Sequence, residues 1–494
     1  MIKPITEEER QHAFKTQRKP EVLEKQKLDV RYHIEDPVVD GRAQKFLEAF
    51  AAILKNTNYG FVLDQYVRSS AKCSRCATEC QVYQATRDPK DIPCYRSELL
   101  LSVYRRHFTV GGMLRGRVLG SKGLTDEKVN EMAESFWNCT ACRRCTLQCP
   151  VGIDHGLVTH LGRYILSEIG IAPRALVIST REQLEGKTGN TSAIPVPALL
   201  DTLEFLEEDM EEEKGVKIKF PIDQEDCEYV FFPAVSDFLM EADTLMGNAA
   251  VFTATGGSWT IGTGYFDGIN YGLFYSDRML DRIVKKVVEE TRRLKGRKIL
   301  IGECGHASRS AKYFVPVFCG GKDAPPVVNC MEYLYDMLKE GKIKLDPNVI
   351  TDPVTYHDPC NIARQGWIID KPREILKSFC KSYVEMTPSG KNNICCGGGG
   401  GTVSIDEIRP YRTTIGGKAK AEQIRKTGAK YVVAPCANCK KQLRELMEDQ
   451  GMDDVEIVGL HDLVYKAIIF DESLKVKKEE KEEETPEAVE KEVE

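Results

Sequence analysis

One spacing constrains this chain more than any other: Cys139-x2-Cys142-x2-Cys145-x3-Cys149-Pro150. Three thiolates at that interval must wrap a single point, and the fourth, turned away at a proline, serves a neighbouring point; backbones hold paired cubane iron–sulfur clusters in this way. Zinc fits less well. A tetrahedral site takes four ligands, usually from two separated Cys-x2-Cys pairs, and leaves the run of three unexplained. The chain has 18 cysteines in all, and Met1 to Pro20 is polar and charged, without the apolar segment of a secretory signal. In a reducing compartment so many cysteines act as metal ligands or redox thiols, not as disulfides.

Cys73, Cys76 and Cys80 form a broken copy of the same run, with Ser70 at its first position and Gln81 where the proline would stand. By the crossing of fourth ligands, Cys139, Cys142, Cys145 and Cys80 complete one cluster, while Cys73, Cys76 and Cys149 leave the other one ligand short. Cys94, beside Pro93, is the candidate for that ligand. A Ser70 alkoxide and a three-iron cluster are the alternatives, and Cys94 also reads as a small buried hydrophobe.

The remainder of the 494 residues divides by texture. Residues 1–45 are polar and proline-punctuated and read as an extended arm or partner-binding segment. Residues 46–170 carry helix-spaced apolar residues from Phe46 to Leu63 and from Tyr95 to His107, then a helix opened by Thr125, and form a helical domain around the paired clusters. Residues 171–226 are mixed, include the acidic run Glu207 to Glu213, and read as a linker packed on the surface. From Cys227 onward short β-rich runs (Tyr229–Phe232, Ala250–Thr255, Lys298–Ile301) alternate with helical stretches such as Asp277 to Leu294, the pattern of an α/β domain. The pattern comes twice, over 227–345 and 346–472: Ile299-Leu-Ile-Gly-Glu-Cys304-Gly-His306 corresponds to Val432-Val-Ala-Pro-Cys436-Ala-Asn-Cys439. Residues 473–494 are rich in Glu and Lys, lack aromatics and read as a disordered tail. A net charge of -6 without a dominant basic cluster leaves no footprint for nucleic acid, and no run of 18 apolar residues offers a membrane span.

In the second repeat Cys360 ends a β-like run, Cys395-Cys396 opens five consecutive glycines (Gly397 to Gly401), and Cys436-x2-Cys439 follows another strand. All three are strand-to-helix turns, where ligands from distant positions converge. Glycine there permits positive φ and close backbone approach. Five thiolates exceed what one zinc or one ordinary cubane uses. The set Cys360-x34-Cys395-Cys396-x39-Cys436-x2-Cys439 resembles the cysteine-rich CCG domain of heterodisulfide reductases. The order of modules is similar to the D-type subunit of heterodisulfide reductases and to the iron–sulfur subunit of the membrane complexes of dissimilatory sulfite reduction; Arg96 to Phe108 and Gly302-Glu-Cys-Gly-His306 look especially like the latter.

The resemblance implies an α+β multidomain fold: an α-helical two-cluster ferredoxin-like domain, then a duplicated α/β cysteine-rich (CCG) module. Two [4Fe-4S] cubanes are expected on Cys73, Cys76, Cys80, Cys139, Cys142, Cys145 and Cys149, with Cys94 as the candidate for the missing ligand. A noncubane [4Fe-4S] cluster on Cys360, Cys395, Cys396, Cys436 and Cys439 would be the place where a disulfide is cleaved. The first repeat departs from the pattern, because Ala234, Gly257-Ser258 or Ser258-Trp259, and Ala307 occupy ligand positions and only Cys304 survives. It is expected to hold no cluster. Cys304 and His306, with Glu303, occupy the turn equivalent to Cys436–Cys439 and should face the cluster across the pseudosymmetry. His306 could give a proton to a leaving thiolate, since histidine titrates near neutral pH; the competing reading is a packing pair. His357 and His461 read as structural.

The expected function is that of a disulfide-reductase-type oxidoreductase subunit, relaying electrons through the ferredoxin-type clusters to disulfide/thiol chemistry. The alternative is a non-catalytic relay subunit of a larger complex, and a zinc-stabilised interaction protein is a third reading. Gly397 to Gly401 lacks the spaced Gly-x-Gly-x-x-Gly of a nucleotide site, so electrons must come from a partner. An FAD-containing subunit or a membrane b-type cytochrome is expected in that role, with a disulfide, a thiol or a thiol carrier protein as substrate. The expected location is cytoplasmic, with membrane association only through a partner.

Overall fold

The computed structural model describes residues 40–120, 123–413 and 417–476; most of the expected arm and tail lie outside these. Helices α1 (Arg42–Asn56), α2 (Tyr59–Ser69), α3 (Pro93–His107), α4 (Asp126–Trp137) and α5 (His155–Glu168) surround the two N-terminal cysteine groups. Local chemistry sets their ends. Pro93 opens α3 where its missing N–H costs nothing, and Arg105, Arg106 and His107 close it against the negative end of the dipole. The Thr125 hydroxyl accepts from the Lys128 amide and caps α4; the Asp154 carboxylate accepts from the Leu157 amide and caps α5.

The stretch expected as a linker is helical, with α6 (Arg174–Glu185) and α7 (Val196–Lys214). Leu199, Leu203, Leu206 and Met210 recur at helical intervals on α7 and are buried, so the acidic run is simply the opposite, solvated face.

Two four-stranded parallel sheets follow. In the first, β1 (Tyr229–Phe232), β2 (Trp259–Thr260), β3 (Lys298–Ile301) and β4 (Val327–Asn329) lie in the order β2-β1-β3-β4. After β5 (Lys344–Leu345), the second has β6 (Pro353–Tyr356), β7 (Ser382–Tyr383), β8 (Tyr431–Val433) and β9 (Glu456–Val458) in the order β7-β6-β8-β9. The strand orders are the same. Antiparallel pairing of β5 with β10 (Ile468–Ile469) ties the end of the second sheet to its beginning. Ala250–Thr255, expected as a strand, is the last part of α8 (Ala242–Thr255). That helix is buried from Thr244 to Phe252, and an apolar run buried all round carries no period by which to tell helix from strand.

Helices cover the sheets, as parallel strands buried on both faces require. They include α9 (Asp277–Arg293), α10 (Gly305–Phe318) and α11 (Cys330–Lys339) on the first sheet. On the second are α12 (Cys360–Ala363), α13 (Asp370–Phe379), α14 (Lys418–Arg425), α15 (Ala437–Asp449) and α16 (Leu460–Ala467). One apolar core runs from Phe46 through both sheets to Phe470. A second, smaller one holds Cys395, Cys396, Cys436 and Cys439 together with Leu443 and Leu446 of α15.

Candidate functional site

The two N-terminal cysteine loops share an unusual backbone. Lys72 (φ 50°) and Ser74 (φ 57°) flank Cys73, and Ala141 (φ 52°) and Arg143 (φ 59°) flank Cys142. Four non-glycine residues in the left-handed region cost on the order of 1 kcal/mol each and persist only where the surroundings impose them. The turns aim amides at sulfur: Ala141 N–H donates to Cys139 Sγ at 3.3 Å, and Ile153 N–H to Cys149 Sγ at 3.3 Å.

Cys80, Cys139, Cys142 and Cys145 line one cavity, with Arg96 and His155 in its wall. Cys73, Cys76, Cys94 and Cys149 line a second, with Ser70 and again His155. Cys76 hydrogen-bonds to Cys94, which holds the Cys94 thiol down to about 6. Ser74 Oγ lies 3.6 Å from Cys94 Sγ. Burial pushes Cys80 up to about 12, so thiolate there needs a cationic partner such as iron.

The second sheet brings a third group together. Cys360 begins α12 directly after β6, Cys436 is the N-cap of α15 after β8, Cys439 lies in its first turn, and Cys395-Cys396 enters from the glycine loop. Cys395 hydrogen-bonds to Cys360 and Cys396, and Cys439 to Cys396 and Cys436. Cys396 Sγ and Cys439 Sγ are 3.5 Å apart. No disulfide joins any of the cysteines. Five soft donors with Gly397 N–H on Cys395 Sγ at 3.4 Å suit an iron–sulfur cluster and not a hard cation.

The third group touches the first, because the Cys142 and Cys395 thiols hydrogen-bond. Two buried arginines clamp this contact. Arg163 of α5 donates to Cys139 O at 2.5 Å and to Gly400 O at 2.9 Å, and Arg364 donates to Cys142 O at 2.8 Å and Asn393 O at 2.6 Å. A Cβ on Gly399 would stand 2.3 Å from Thr140 O, so glycine is what lets the two loops meet.

At the other end Cys436 hydrogen-bonds to Cys304, whose sulfur is 3.2 Å from His306 Nδ1. Cys304 and Cys436 are each the N-cap residue after the third strand of their sheet, and each donates its amide to the carbonyl two residues back. His306 shares the third cavity with Cys360, Cys396, Cys436 and Cys439, and its ring stacks on Tyr271 at 5.6 Å. Burial pushes His306 down to about 4, so it stands neutral at pH 7 instead of titrating near neutrality. Glu303 faces away: its carboxylate accepts from the His461 amide at 2.8 Å and from His461 Nδ1 at 2.6 Å, which joins the first sheet to α16.

His357 belongs to the site, although on sequence it reads as structural. Lys420 Nζ donates to Asn393 Oδ1 at 2.8 Å, so the Asn393 amide nitrogen points at His357 Nδ1, 3.3 Å away. Nδ1 is therefore the acceptor and Nε2 carries the proton, buried without a hydrogen-bond partner of its own, while the ring lies beside Cys396. Ligand atoms of His357, Cys396 and Cys439 all lie within 4.8 Å of one another. Only the adjacency of His357 to the cysteine turn could have signalled this.

Among known proteins, the family model of the cysteine-rich CCG domain matches residues 354–444, and that of the 4Fe-4S dicluster domain matches residues 71–153. The chain is 27% identical, over 95% of its length and 92% of the relative's, to the Hdr-like menaquinol oxidoreductase iron-sulfur subunit of Archaeoglobus profundus. It is 26% identical, over 86% of its length and 83% of the relative's, to iron-sulfur subunit 2 of the Hdr-like menaquinol oxidoreductase of Archaeoglobus fulgidus. To the D-type subunit of the dihydromethanophenazine:CoB–CoM heterodisulfide reductase of Methanosarcina barkeri it is 23% identical over 80% of its length and 93% of the relative's. With both cysteine modules present and relatives aligned along nearly the whole chain, the protein is similar to CCG-domain iron–sulfur oxidoreductase subunits of the heterodisulfide reductase D type.

Proposed function

We propose that the protein carries electrons through two [4Fe-4S] cubanes to a noncubane [4Fe-4S] cluster and there interconverts a disulfide and its thiols. The observation that carries this reading is the run of thiols from Cys142 through Cys395, Cys396, Cys439 and Cys436 to Cys304, without a break between the ferredoxin-type module and the second sheet. In this reading residues 46–170 hold the cubanes, with Cys94 as the replacement ligand beside Cys73, Cys76 and Cys149. Residues 227–345 and 346–472 are copies of one α/β unit, and only the second holds a cluster. A noncubane cluster supplies electrons and an iron that accepts a soft sulfur ligand.

The chain's own groups do the remainder. The His357 ring packs beside Cys396 and Cys439, Arg364 offsets the negative charge gathered around Cys142, Cys360 and Cys395, and His306 closes the far wall. A neutral His306 becomes a proton donor only while thiolate charge builds beside it; the Cys436 thiolate already acts in that direction. Electrons arrive from a partner subunit, either an FAD-containing protein or a membrane b-type cytochrome. Among the described residues no helix is long and apolar enough to cross a membrane.

A pure relay is the second reading, favoured by the first sheet, where Ala234 follows β1, Ala307 lies in the first turn of α10, and a second ligand set is missing. The two separate on one experiment. Anaerobically purified protein should contain about twelve iron per chain, and small thiols added to the oxidised form should give a new paramagnetic signal that Cys396→Ser and Cys436→Ser abolish. A third cluster indifferent to thiols in every redox state would leave only the relay.

A further inference from the structure

Two buried donors beside the third cysteine group lack an acceptor. His357 Nε2, in a side chain 1% exposed, has no hydrogen-bond partner among the described residues, and neither has Nη2 of the equally buried Arg364. Buried N–H groups are almost always paired, so a donor left over marks a partner of another kind. His357 directly follows β6, and its amide donates to Val433 O of β8 at 2.9 Å, which ties the ring to two adjacent strands. A ring nitrogen, Cys396 Sγ and Cys439 Sγ lie within 4.8 Å of one another, and Nδ1 is occupied by Asn393, so Nε2 is left for the sulfurs. Arg364 stands on the opposite side of the group, among Cys142, Cys360 and Cys395.

Asn393, itself fully buried, fixes the proton on Nε2 from two sides. Lys420 Nζ of α14 donates to Asn393 Oδ1 at 2.8 Å, and the Asp358 carbonyl, which can only accept, takes Asn393 Nδ2–H at 3.2 Å. The amide therefore cannot turn round, and Nδ2 faces His357 Nδ1 at 3.3 Å. Nδ1 has no place for a hydrogen of its own, so the ring is neutral with its hydrogen on Nε2. The Asn393 carbonyl also accepts from Arg364 Nη1 at 2.6 Å, so one residue, two places before Cys395, orients both unpartnered donors. We propose that His357 Nε2–H donates a hydrogen bond to sulfur of the third centre and raises its reduction potential, with Asn393 and Lys420 as the positioning residues. The assignment rests on the third cluster proposed above. Hydrogen bonds to the sulfurs favour the more negative, reduced form. The competing role, an iron ligand, needs Nε2 free of hydrogen and an acceptor opposite Nδ1, where Asn393 presents a donor.

The test uses iron-loaded protein whose histidines carry the heavier nitrogen isotope, followed by hyperfine spectroscopy of the third centre and by redox titration. The unaltered protein should show a weak histidine nitrogen coupling together with a proton coupling that disappears in deuterium oxide. His357→Phe should remove both and lower the potential by about 59 mV, which is a tenfold change in the ratio of reduced to oxidised centre for one electron. His357→Gln, whose amide supplies an N–H, should recover part of the potential without the histidine coupling. Asn393→Leu, which alters no charge, should lower the potential by a smaller amount and have no effect in the His357→Phe background. Mere packing would make the two changes independent. A strong nitrogen coupling without an exchangeable proton would make His357 an iron ligand and overturn the proposal. So would the absence of any histidine coupling in the unaltered protein, a coupling that survives His357→Phe, or a potential that neither His357 variant moves. If the unaltered protein forms no third centre, the cluster reading falls and this assignment with it.

Discussion

Cys94 and Ser70 both line the cavity of Cys73, Cys76 and Cys149, and their chemistry separates them. The Cys94 thiol is held down to about 6 by its bond from Cys76, so it offers thiolate at neutral pH at little cost, whereas a serine hydroxyl does not ionise there. Cys94→Ala should convert or lose one cubane, about four iron, and leave the paramagnetic signal of the cluster on Cys80, Cys139, Cys142 and Cys145 intact. Ser70→Ala should leave the iron content unchanged. His155, 3% exposed and in the wall of both cavities, carries a second prediction. Burial pushes it down to about 4. Between its unfolded value near 6.5 and that value the folded state binds fewer protons than the unfolded one, so stability is full above the window and is lost as pH falls through it. Urea unfolding at pH 7.5 and 5.5 should show a loss of about 1 kcal/mol from this group, and His155→Gln should remove that share. Residues of this kind were only partly legible in the sequence. The convergence of Cys80 with Cys139, and of Cys73 with Cys149, follows from spacing within one stretch of chain. The clamps Arg163 to Gly400 and Arg364 to Cys142 span more than two hundred residues, and nothing near an arginine in sequence marks such a bond.

At the level of elements, the sequence marks strands well where a short apolar run ends at a proline or glycine, as β1 does at Pro233 and β3 at Gly302, and poorly where the run lies inside a buried helix, as in α8. It gives the equivalence of Cys304 and Cys436 and, through the pseudosymmetry, the expectation that Cys304 faces the third group, whereas how closely the two approach depends on how the two sheets pack. The glycine loop is the element on which communication between the modules depends. Gly397, Gly400 and Gly401 have positive φ, but Gly399 is glycine for lack of room, with the carbonyl of Thr140 where a side chain would begin. In Gly399→Ala the loop must lift by about 1 Å, since a Cβ needs at least ~3.3 Å from an oxygen. The Cys142–Cys395 contact then opens while both ligand sets remain. The expected result is an unchanged iron content with electron transfer from the cubanes to the third centre slowed several-fold, read by rapid-freeze spectroscopy after reduction of the cubanes. An unchanged rate would mean that electrons take another route.

At the level of the whole molecule, iron and folding are coupled unevenly. The helical region around the first two cavities packs its interior with Arg96, buried beside Cys80, Cys139, Cys145 and Asp91, and with the buried Arg163, which donates to backbone carbonyls, and its cysteine loops contain the left-handed residues noted above. The two sheets instead close over Phe231, Phe232, Ile299, Val354 and Val433, which need no metal. Removing iron therefore takes away part of the negative charge beside Arg96, whose Asp91 partner remains, and the restraint on strained loops in one region while leaving the sheets' own burial intact. Chelator-treated protein should keep most of its far-ultraviolet dichroism yet show a first unfolding step that is absent from the loaded form. That step should lie at least ~10 °C lower, which corresponds to a loss of about 3–5 kcal/mol for a unit of this size. Hydrogen exchange should place the early opening in 46–170 and in the glycine loop clamped to it by Arg163, with β1, β3, β6 and β8 protected until the second step. A single cooperative transition at the same temperature with and without iron would show that the helical region stands on its apolar core alone.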